Sequence, residues 1–392
     1  MSFRQARQAA KRAGICAAAL AVVWTRPASA QLPQPPPEAT GLPVVLLVDL
    51  GSGQELLARE ADRGFLPASM TKVMTAYVAF EEIARGRLRP DRRMVVREAT
   101  AREWSGKGTS MYLLPGEEVS VHDLLRGVMT ASANDASVVL AEGHTGTVKG
   151  WTFLMNDAAR RLGMKASHFA NPSGWPDGGH THITARDLVR LAAAMIRQYS
   201  SDYARYSGKP SFTWRERVLY SQDPVSGVVK GADGIKTGYS REAGYNFLGS
   251  AMRDGRRLVM IAGGAASENQ RAMASRALLE WGFAEWRARP LFRAGEPIAT
   301  ARVQGGAASA VALAAQGPVH ATLPRSGSST ISLSIAYNGP IKAPIAKGQV
   351  VGELKIRVGD LPAGRILLVA AHPVGKGGPM DRLVNGFKNL FS

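Results

Sequence analysis

A change of pattern near residue 199 constrains the fold more than any other feature of the chain. Between residues 73 and 198 the apolar side chains repeat with the period of an α-helix in several separate segments. After residue 199 the chain changes to strand-like runs divided by turns, and an apolar run at 44–50 followed by Gly51-Ser52-Gly53 predicts a hairpin before the helices. Strands at both ends with helices between them predict an α+β domain with a mostly antiparallel sheet and a helical lobe.

The helical period stops again near residue 290. From there to residue 373, short β-rich runs such as 330–337 and 350–358 alternate with glycine and proline turns. We therefore predict two domains, at residues 43–289 and 290–373, the second of which is a small all-β domain. A length of 392 residues with 45% hydrophobic residues is sufficient for two packed cores.

The first 42 residues predict export. Residues 1–30 combine a basic start, a short apolar run and the small-residue sequence Ala28-Ser29-Ala30, as a cleaved signal peptide does, and residues 31–42 form a proline-rich linker. An uncleaved membrane anchor is the alternative for the apolar run. Cys16, the only cysteine, lies in this segment, so disulfides and a thiol nucleophile are excluded from the rest of the chain.

Charge and the C-terminal pattern both favour an anionic surface. The formal net charge is +18, and removal of residues 1–30 lowers it by about five. The sequence has no block of basic residues interleaved with aromatics, which argues against nucleic acid and favours anionic phospholipid or wall polymer. Residues 378–392 place apolar side chains on one helical face and basic ones opposite, which predicts an amphipathic helix that anchors the chain to a membrane surface. A helix docked on the β domain is the alternative.

The first pattern that carries chemistry is Ser69-Met70-Thr71-Lys72, at the start of a predicted helix. Residues three apart share a helical face, so the Lys72 amine can reach the Ser69 hydroxyl and act as its base. The N–H groups at the helix N-terminus favour the negative charge that develops during acyl transfer. Alone, the pattern is equally typical of an amphipathic helix with a serine cap, so its interpretation depends on the rest of the chain.

Two further patterns supply complementary groups. Ser132-Ala133-Asn134 offers a hydroxyl that can relay a proton and an amide that can hold a peptide backbone. Lys236-Thr237-Gly238, on a predicted strand, offers a positive charge, a hydroxyl and, at the glycine, room for a ligand to approach the strand edge. An edge strand beside a lysine suits an extended peptide that ends in a carboxylate. Together the three patterns predict a serine-dependent acyl-transfer centre for peptides.

Metal and cofactor chemistry have little support in the sequence. His180 and His182 form a His-x-His pattern on a probable loop, but no third ligand is evident. We therefore predict neither a metal site nor an organic cofactor. Asp177, Glu142 and Glu216 could activate water, yet none lies in the glutamate motif expected of a class A β-lactamase.

The motifs and their surroundings closely resemble those of serine-type D-alanyl-D-alanine carboxypeptidases, the low-molecular-mass penicillin-binding proteins. The resemblance rests on Pro-Ala-Ser-Met-Thr-Lys at 67–72, Ala-Asn-Asp-Ala at 133–136 and Asp-Gly-Ile-Lys-Thr-Gly-Tyr at 233–239, and it extends to 171–174, 184–187 and 243–246. It implies a transpeptidase/β-lactamase-like domain that removes the terminal D-alanine from peptidoglycan stem pentapeptides and is acylated by β-lactams. It also implies a peripheral position on the periplasmic face of the bacterial inner membrane.

The resemblance implies a role for each residue of the site. Catalytic roles fall to Ser69 as nucleophile, Lys72 as base and Ser132 as proton relay. The predicted substrate-binding residues are Asn134, Lys236, Thr237, Gly238 and Tyr239. Among these, the lysine and the threonine hold the terminal carboxylate of the substrate, and the backbone N–H groups of Ser69 and Tyr239 form the oxyanion hole.

Two positions depart from the family pattern. Gln222 and Ala265 stand where some relatives carry arginines that help to bind the carboxylate. Carboxylate recognition therefore depends more on Lys236 here, or it uses Arg271.

Three other functions remain possible at this point. A serine β-lactamase or a D,D-endopeptidase would use the same scaffold, and a non-catalytic cell-wall scaffold would bind through the β domain and the tail. The complete set of nucleophile, base and relay argues against the last of these, and the predicted β domain argues mildly against the endopeptidase.

Overall fold

The computed structural model describes residues 32–326 and 329–378. The predicted signal peptide, Cys16 and nearly all of the predicted C-terminal anchor lie outside these residues. Within the described ranges, no helix is long and apolar enough to cross a membrane.

Eight α-helices are described, and all belong to the first domain. They are α1 (Lys72–Ala84), α2 (Glu98–Trp104), α3 (Val121–Met129), α4 (Asn134–Thr145), α5 (Val148–Arg161), α6 (Ala185–Gln198), α7 (Ser200–Tyr206) and α8 (Glu268–Ala284). Several begin at side-chain caps: the Ser120, Thr147, Thr184 and Ser267 hydroxyls each accept a hydrogen bond from a backbone N–H of the first turn. A 3₁₀ turn, Ala68–Thr71, leads directly into α1.

The first domain is built on a five-stranded antiparallel sheet. Its spatial order is β2 (Gln54–Arg59), β1 (Val44–Asp49), β9 (Arg256–Ala265), β8 (Gly244–Arg253) and β7 (Ala232–Ser240). Two short hairpins lie outside it: β3 (Arg93–Val95) with β4 (Glu118–Ser120), and β5 (Ser211–Trp214) with β6 (Arg217–Tyr220). The two edges of this sheet are β2 and β7. The Lys-Thr-Gly motif therefore lies on an edge strand.

Apolar side chains cover both faces of this sheet. One face packs on α1 and the rest of the helical lobe through residues such as Leu46, Leu248 and Ile261. The other packs on α8 through residues such as Leu47 and Phe247. The alternation of side chains along each strand explains why neighbouring residues belong to different cores. The predicted α+β architecture is confirmed.

The second domain consists of strands from Trp286 onward, as the loss of helical period predicted. Its strands are β10 (Trp286–Phe292), β11 (Pro297–Gln304), β12 (Ala310–Ala314), β13 (Val319–Pro324), β14 (Ile331–Tyr337), β15 (Ile341–Lys342), β16 (Val350–Val358) and β17 (Gly364–Ala370). β10 pairs with β13, and the other six form a second sheet in the order β14-β16-β17-β12-β11-β15. Residues such as Val303, Leu313, Leu354 and Leu368 fill the core between them.

Two predicted boundaries fall differently in the structure. Residues 31–42 were predicted to form an extended linker. Within the described part, Ala39 and Leu42 are instead buried with α8 in the core behind the sheet. The first strand of the β domain begins at Trp286, before the predicted start at residue 290, and Trp286 is itself buried in that same core. Buried apolar residues on both segments account for the difference.

Candidate active site

Ser69 lies in the tight turn that precedes α1. Ala68, just before it, has a φ of +46°, a conformation that non-glycine residues rarely adopt. The loop around Gly174 packs against this turn so closely that a Cβ at Gly174 would lie 1.8 Å from the Ala68 carbonyl oxygen. The contact therefore requires glycine at that position. Ser69 itself is only partly buried, whereas both neighbours of it in the sequence are buried.

Lys72 reaches back from the first residue of α1 to Ser69. Its Nζ lies 2.8 Å from Ser69 Oγ, 2.8 Å from Asn134 Oδ1 and 2.8 Å from the Ser173 carbonyl oxygen. The side chain is 0% exposed. Burial, and after it the positive charge of Lys236, lower the pKa of Lys72 well below its ordinary value, although the charge of Asp135 opposes this.

The partners of Lys72 determine where its lone pair points when the amine is neutral. The Asn134 amide is oriented by its Nδ2, which donates to the Lys107 carbonyl oxygen at 2.9 Å, so its Oδ1 faces Lys72 as an acceptor. The Ser173 carbonyl is also an acceptor only. A neutral amine donates its two N–H bonds to these oxygens, and its lone pair is then directed at the Ser69 hydroxyl.

Ser132 lies two residues before Asn134, at the loop that leads into α4. It has a φ of +61° and is 6% exposed, and its carbonyl oxygen accepts a hydrogen bond from Thr109 Oγ1 at 2.6 Å. This loop is held in place by Asp135, whose buried carboxylate accepts from Ser110 Oγ and from the N–H groups of Met111 and Leu113. The structure therefore holds Ser132 in the loop that leads directly to Asn134, whose Oδ1 contacts Lys72.

The Lys-Thr-Gly segment of β7 runs directly past the serine turn. A Cβ at Gly238 would lie 2.4 Å from the Pro67 carbonyl oxygen and 3.2 Å from the Met70 N atom. The sequence predicted that Gly238 makes room for a ligand, but this space is filled by the turn, so the glycine is required for packing. The contact brings the next residue, Tyr239, alongside Ser69.

Lys236 is a second buried cation in the same site. It is 4% exposed, and its Nζ has one hydrogen bond within the described residues, a long one of 3.3 Å to the Thr237 carbonyl oxygen. Burial, and after it the charge of Arg271, lower the pKa of Lys236 to about 7, while Asp223 opposes the shift. An anionic ligand would supply the hydrogen-bond acceptors that this buried cation lacks.

Arg271 projects from α8 towards the same edge. It is 2% exposed, and its Nη2 donates to Glu268 Oε1 at 2.7 Å, but its buried Nε has no hydrogen-bond partner among the described residues. Its guanidinium lies over the ring of Tyr245, 5.8 Å from the centroid, and Tyr245 in turn contacts Tyr239 with centroids 4.2 Å apart. The structure thus places Arg271 beside the Lys-Thr-Gly strand.

Sequence reasoning missed the groups that support the lysine. The Ser173 carbonyl oxygen contacts Lys72, and the loop that presents it is held by Asn171, whose Oδ1 accepts from the N–H groups of Ser173 and Gly174. Thr75 Oγ1 also donates to the Pro172 carbonyl oxygen at 2.7 Å. The Asn-Pro-Ser-Gly stretch at 171–174 was noted for its resemblance to the family. Its role could not be predicted, because the contact uses a backbone carbonyl, which every residue type has.

The other candidates from the sequence have structural partners away from Lys72. Asp177 accepts hydrogen bonds from Thr181 and Asn171, and Glu142 accepts one from Thr100 Oγ1 at 2.6 Å. His180 and His182 belong to the loop between α5 and α6; the ring of His182 stacks on that of His168, with centroids 6.1 Å apart. In residues 32–326 and 329–378, no three histidine, cysteine, aspartate or glutamate side chains are grouped as metal ligands would be.

Comparison with known protein families gives two matches along the chain. Residues 33–267 match the D-alanyl-D-alanine carboxypeptidase peptidase family, and residues 286–376 match the C-terminal domain of penicillin-binding protein 5. The first match covers the first domain up to the start of α8, and the second match begins at Trp286, where the β domain begins.

Individual relatives match over nearly their whole length. D-alanyl-D-alanine carboxypeptidase DacA of Haemophilus influenzae is 31% identical over 364 residues, which cover 91% of this chain and 92% of that protein. D-alanyl-D-alanine carboxypeptidase DacD of Salmonella typhimurium is 33% identical over 363 residues, with 91% and 92% covered. Penicillin-binding protein 5 from Haemophilus influenzae has a similar structure, with a TM-score of 0.70, 30% identity, and 88% of this chain and 99% of that chain covered.

A further solved structure matches a smaller part of the chain. Penicillin-binding protein D2 from Listeria monocytogenes, solved in its ampicillin-bound form, has a TM-score of 0.56 and 29% identity, and covers 62% of this chain and 97% of that chain. The matched relatives carry the names of carboxypeptidases and penicillin-binding proteins, which does not favour a β-lactamase, an endopeptidase or a non-catalytic scaffold. With both domains matched and the serine, lysine and Lys-Thr-Gly strand assembled in one cleft, the chain belongs to the serine-type D-alanyl-D-alanine carboxypeptidase family of low-molecular-mass penicillin-binding proteins.

Proposed function

We propose that this chain removes the terminal D-alanine from peptidoglycan stem pentapeptides, and that Ser69 is the nucleophile. The observation that carries the assignment of residues is the buried Lys72 amine, 2.8 Å from Ser69 Oγ and otherwise bonded to two carbonyl oxygens. The lowered pKa of Lys72 provides a neutral amine that can accept the serine proton.

Acylation begins with attack of Ser69 Oγ on the carbonyl carbon of the D-Ala-D-Ala bond. The serine proton passes to Lys72 Nζ, and a C–O bond forms while the carbonyl oxygen gains the negative charge. The C–N bond then breaks as the leaving amine takes up a proton, which Ser132 relays from Lys72. Water hydrolyses the resulting ester and restores the Ser69 hydroxyl.

The oxyanion hole consists of the backbone N–H groups of Ser69 and Tyr239. The packing of Gly238 on Pro67 supports this assignment, because it brings the end of β7 next to the serine turn. Among the described strands β7 pairs only with β8 and so forms an edge of the sheet, and every second N–H of an edge strand points away from its sheet. Donors fixed in this way stabilise the developing negative charge without having to move.

Lys236, Thr237 and Arg271 bind the terminal carboxylate of the substrate. Lys236 and Arg271 are both buried and lie close enough for their charges to interact. They bind the carboxylate in place of the arginines that some relatives carry at the positions of Gln222 and Ala265. An anion between them would supply acceptors for the Lys236 ammonium and the unpartnered Arg271 Nε. The same position suits the carboxylate of a penicillin, so β-lactams would acylate Ser69 as substrate analogues.

Replacement of Ser69 tests the proposal directly. We expect Ser69→Ala to abolish both D-alanine release from a synthetic pentapeptide and labelling by fluorescent penicillin. Ser275→Ala, which removes a buried hydroxyl on α8 that has no hydrogen-bond partner among the described residues, serves as control. Covalent labelling of the Ser69→Ala protein would refute the nucleophile. Rapid multiple turnover of penicillin by the unmodified protein, instead of a long-lived adduct, would favour a β-lactamase.

The location of the protein is a further part of the proposal. The signal-like residues 1–30 and the amphipathic pattern of 378–392 support an exported enzyme held peripherally at the periplasmic face of the inner membrane. Removal of residues 378–392 should release the protein from membranes and leave D-alanine release unchanged. Continued sedimentation of the shortened protein with membranes would contradict the anchor.

A further inference from the structure

Two adjoining cavities open beside the end of β7. The first, of about 260 Å³, touches the serine turn and is lined by residues that include Pro67, Ala68, Trp175 and Ser240. The second, of about 620 Å³, lies beyond it and is lined by residues that include Phe65, Tyr239 and Tyr245. Leu66 and Glu242 line both cavities, so together the cavities form one groove that leads away from Ser69.

The direction of the substrate follows from the proposed function, on which this inference rests. If the terminal carboxylate lies at Lys236 and Thr237 and the oxyanion at Tyr239, the peptide runs antiparallel to β7. Its residues before the D-Ala-D-Ala bond must then pass Ser240 and reach the turn that joins β7 to β8. That turn forms the wall of the groove, so the upstream part of the peptide enters it.

The outer cavity is distinguished by two arginines. Arg63 and Arg241 are exposed and line this cavity, and no ion pair within 4.0 Å is found for either of them among the described residues. Arg241 does experience the charge of its neighbour Glu242, whose pKa it helps to lower after hydrogen bonds from the backbone and Ser240. With two arginines and one glutamate, the lining of the outer cavity carries a net positive charge. The inner cavity has no arginine or lysine in its lining; it combines the apolar residues Leu66, Trp175 and Pro176 with the carboxylates of Asp177 and Glu242.

We propose that this groove is an extended subsite for the acyl side of the substrate, and that Arg63 and Arg241 recognise an acidic residue upstream of the D-Ala-D-Ala bond. The inner cavity holds the aliphatic side chain next to that bond, and the outer cavity holds a free carboxylate further along the peptide. The preferred substrate class is therefore an anionic peptide longer than three residues. A carboxylate in the outer cavity gains charge-assisted hydrogen bonds that its amide lacks.

The test compares three substrates on the full chain. One is an acetylated tripeptide that ends in Lys-D-Ala-D-Ala, one a pentapeptide with a γ-linked D-glutamate, and one the same pentapeptide with that glutamate amidated. We expect kcat/KM for D-alanine release to be several-fold higher for the acidic pentapeptide than for its amide. Arg63→Gln and Arg241→Gln should each reduce this preference about threefold, because partly exposed ion pairs are individually weak. Added salt should also reduce it.

Controls separate this inference from the proposed function. Neither variant should change hydrolysis of the tripeptide or penicillin labelling of Ser69, and Arg289→Gln, which removes the same charge from the β domain, should change nothing. Equal kcat/KM for the acidic and amidated peptides in the unmodified protein would overturn the subsite while tripeptide hydrolysis upholds the enzyme. Loss of all three substrates in a variant that still labels with penicillin would show a general defect and would equally overturn it. Absence of any hydrolysis and labelling would refute both proposals.

Discussion

Two buried polar clusters lie beside the same sheet, and they differ in how their charges are compensated. The first, which we call the catalytic cluster, consists of Lys72, Lys236 and Arg271. The second, the interdomain cluster, consists of Asp49, Arg256 and His320 and lies where the first domain meets the β domain. The comparison shows how a fold distinguishes a buried charge that stabilises from one that reacts.

In the interdomain cluster the buried carboxylate of Asp49 is compensated by its neighbours, although Arg256 Nη2 has no hydrogen-bond partner among the described residues. Asp49 is 0% exposed; its Oδ1 accepts from His320 Nε2 at 2.8 Å, and its Oδ2 accepts from Arg256 Nε at 2.5 Å and Thr322 Oγ1 at 3.0 Å. Burial alone would raise the pKa of Asp49, but the hydrogen bonds and charges of His320 and Arg256 together hold it below its usual value. The carboxylate therefore stays ionised and joins the two domains.

Close packing at this interface reinforces the cluster. A Cβ at Gly51 would lie 2.1 Å from the His320 ring, and one at Gly364 would lie 2.3 Å from the Ser52 carbonyl oxygen. Gln54 Nε2 also donates to the Pro362 carbonyl oxygen at 2.6 Å. The catalytic cluster is less complete, because Lys236 has one long hydrogen bond and the buried Nε of Arg271 has no partner among the described residues. In the proposed function, the carboxylate of the substrate supplies the missing anion.

The largest effect is expected from removal of the catalytic amine. Lys72→Met should lower the rates of D-alanine release and penicillin acylation about 10³-fold, since general-base catalysis contributes on this scale. Stability should change little, because burial already disfavours the charged form of Lys72. Acylation rates and thermal melting would measure both effects, with exposed Lys149→Met as control. A strongly destabilised but still active variant would reverse the distinction between the clusters.

The opposite pattern is expected at the interdomain cluster. Asp49→Ala leaves Arg256 buried without its carboxylate, which should lower the free energy of unfolding by about 3 kcal/mol. Penicillin acylation per folded molecule should stay unchanged. Urea unfolding combined with labelling at low denaturant would measure this, and Asp91→Ala, in an exposed ion pair with Arg89, should alter neither. Loss of acylation without loss of stability would show that the clusters are coupled.

Much of this organisation was predictable from short-range patterns. The periodicity of apolar residues between 73 and 198 predicted several helices there, and the structure has the longer helices α1, α3, α4, α5 and α6 across that range. The proximity of Ser69 and Lys72 also follows from spacing on one turn. By contrast, the short helices α2 and α7 and the β3–β4 hairpin were missed, because segments of three to seven residues give too little periodicity to recognise.

The interdomain cluster could not be predicted, because its members are distant in sequence. Asp49 and His320 are joined only by the docking of two domains, and no motif marks either residue. The same limit applies to Arg271: the sequence suggested it as a substitute arginine, yet only the packing of α8 behind the sheet places it near Lys236. Long-range contacts of this kind depend on tertiary packing, which local pattern does not encode.

A smaller effect is expected when one catalytic cation is removed. Arg271→Gln should raise KM for the pentapeptide about tenfold through loss of a charge-assisted hydrogen bond. It should also shift the pH profile. Lys236 binds carboxylate only when protonated, and its pKa, lowered to about 7 by burial and then by Arg271, rises when the arginine charge is removed. The decline of kcat/KM above neutral pH should therefore move to higher pH.

Matched variants make this result specific. Arg276→Gln, on the same helix, should leave KM and the pH profile unchanged, and a peptide with its terminal carboxylate amidated should respond little to Arg271→Gln. An unshifted profile with a normal KM would show that Arg271 is structural, like Arg256.

The smallest effect concerns the pH dependence of stability at the interdomain cluster. The pKa of Asp49 is lower in the folded chain than in the unfolded one, so the unfolded state binds the proton more readily. Its stabilisation is full above the unfolded pKa, near 3.9, and is lost as pH falls through the folded pKa. The difference in free energy of unfolding between the unmodified protein and Asp49→Asn should therefore shrink in acid, whereas Asp91→Asn should show no comparable trend. A difference that grows in acid would mean that Asp49 is buried as the neutral acid, and the contrast with the catalytic cluster would then disappear.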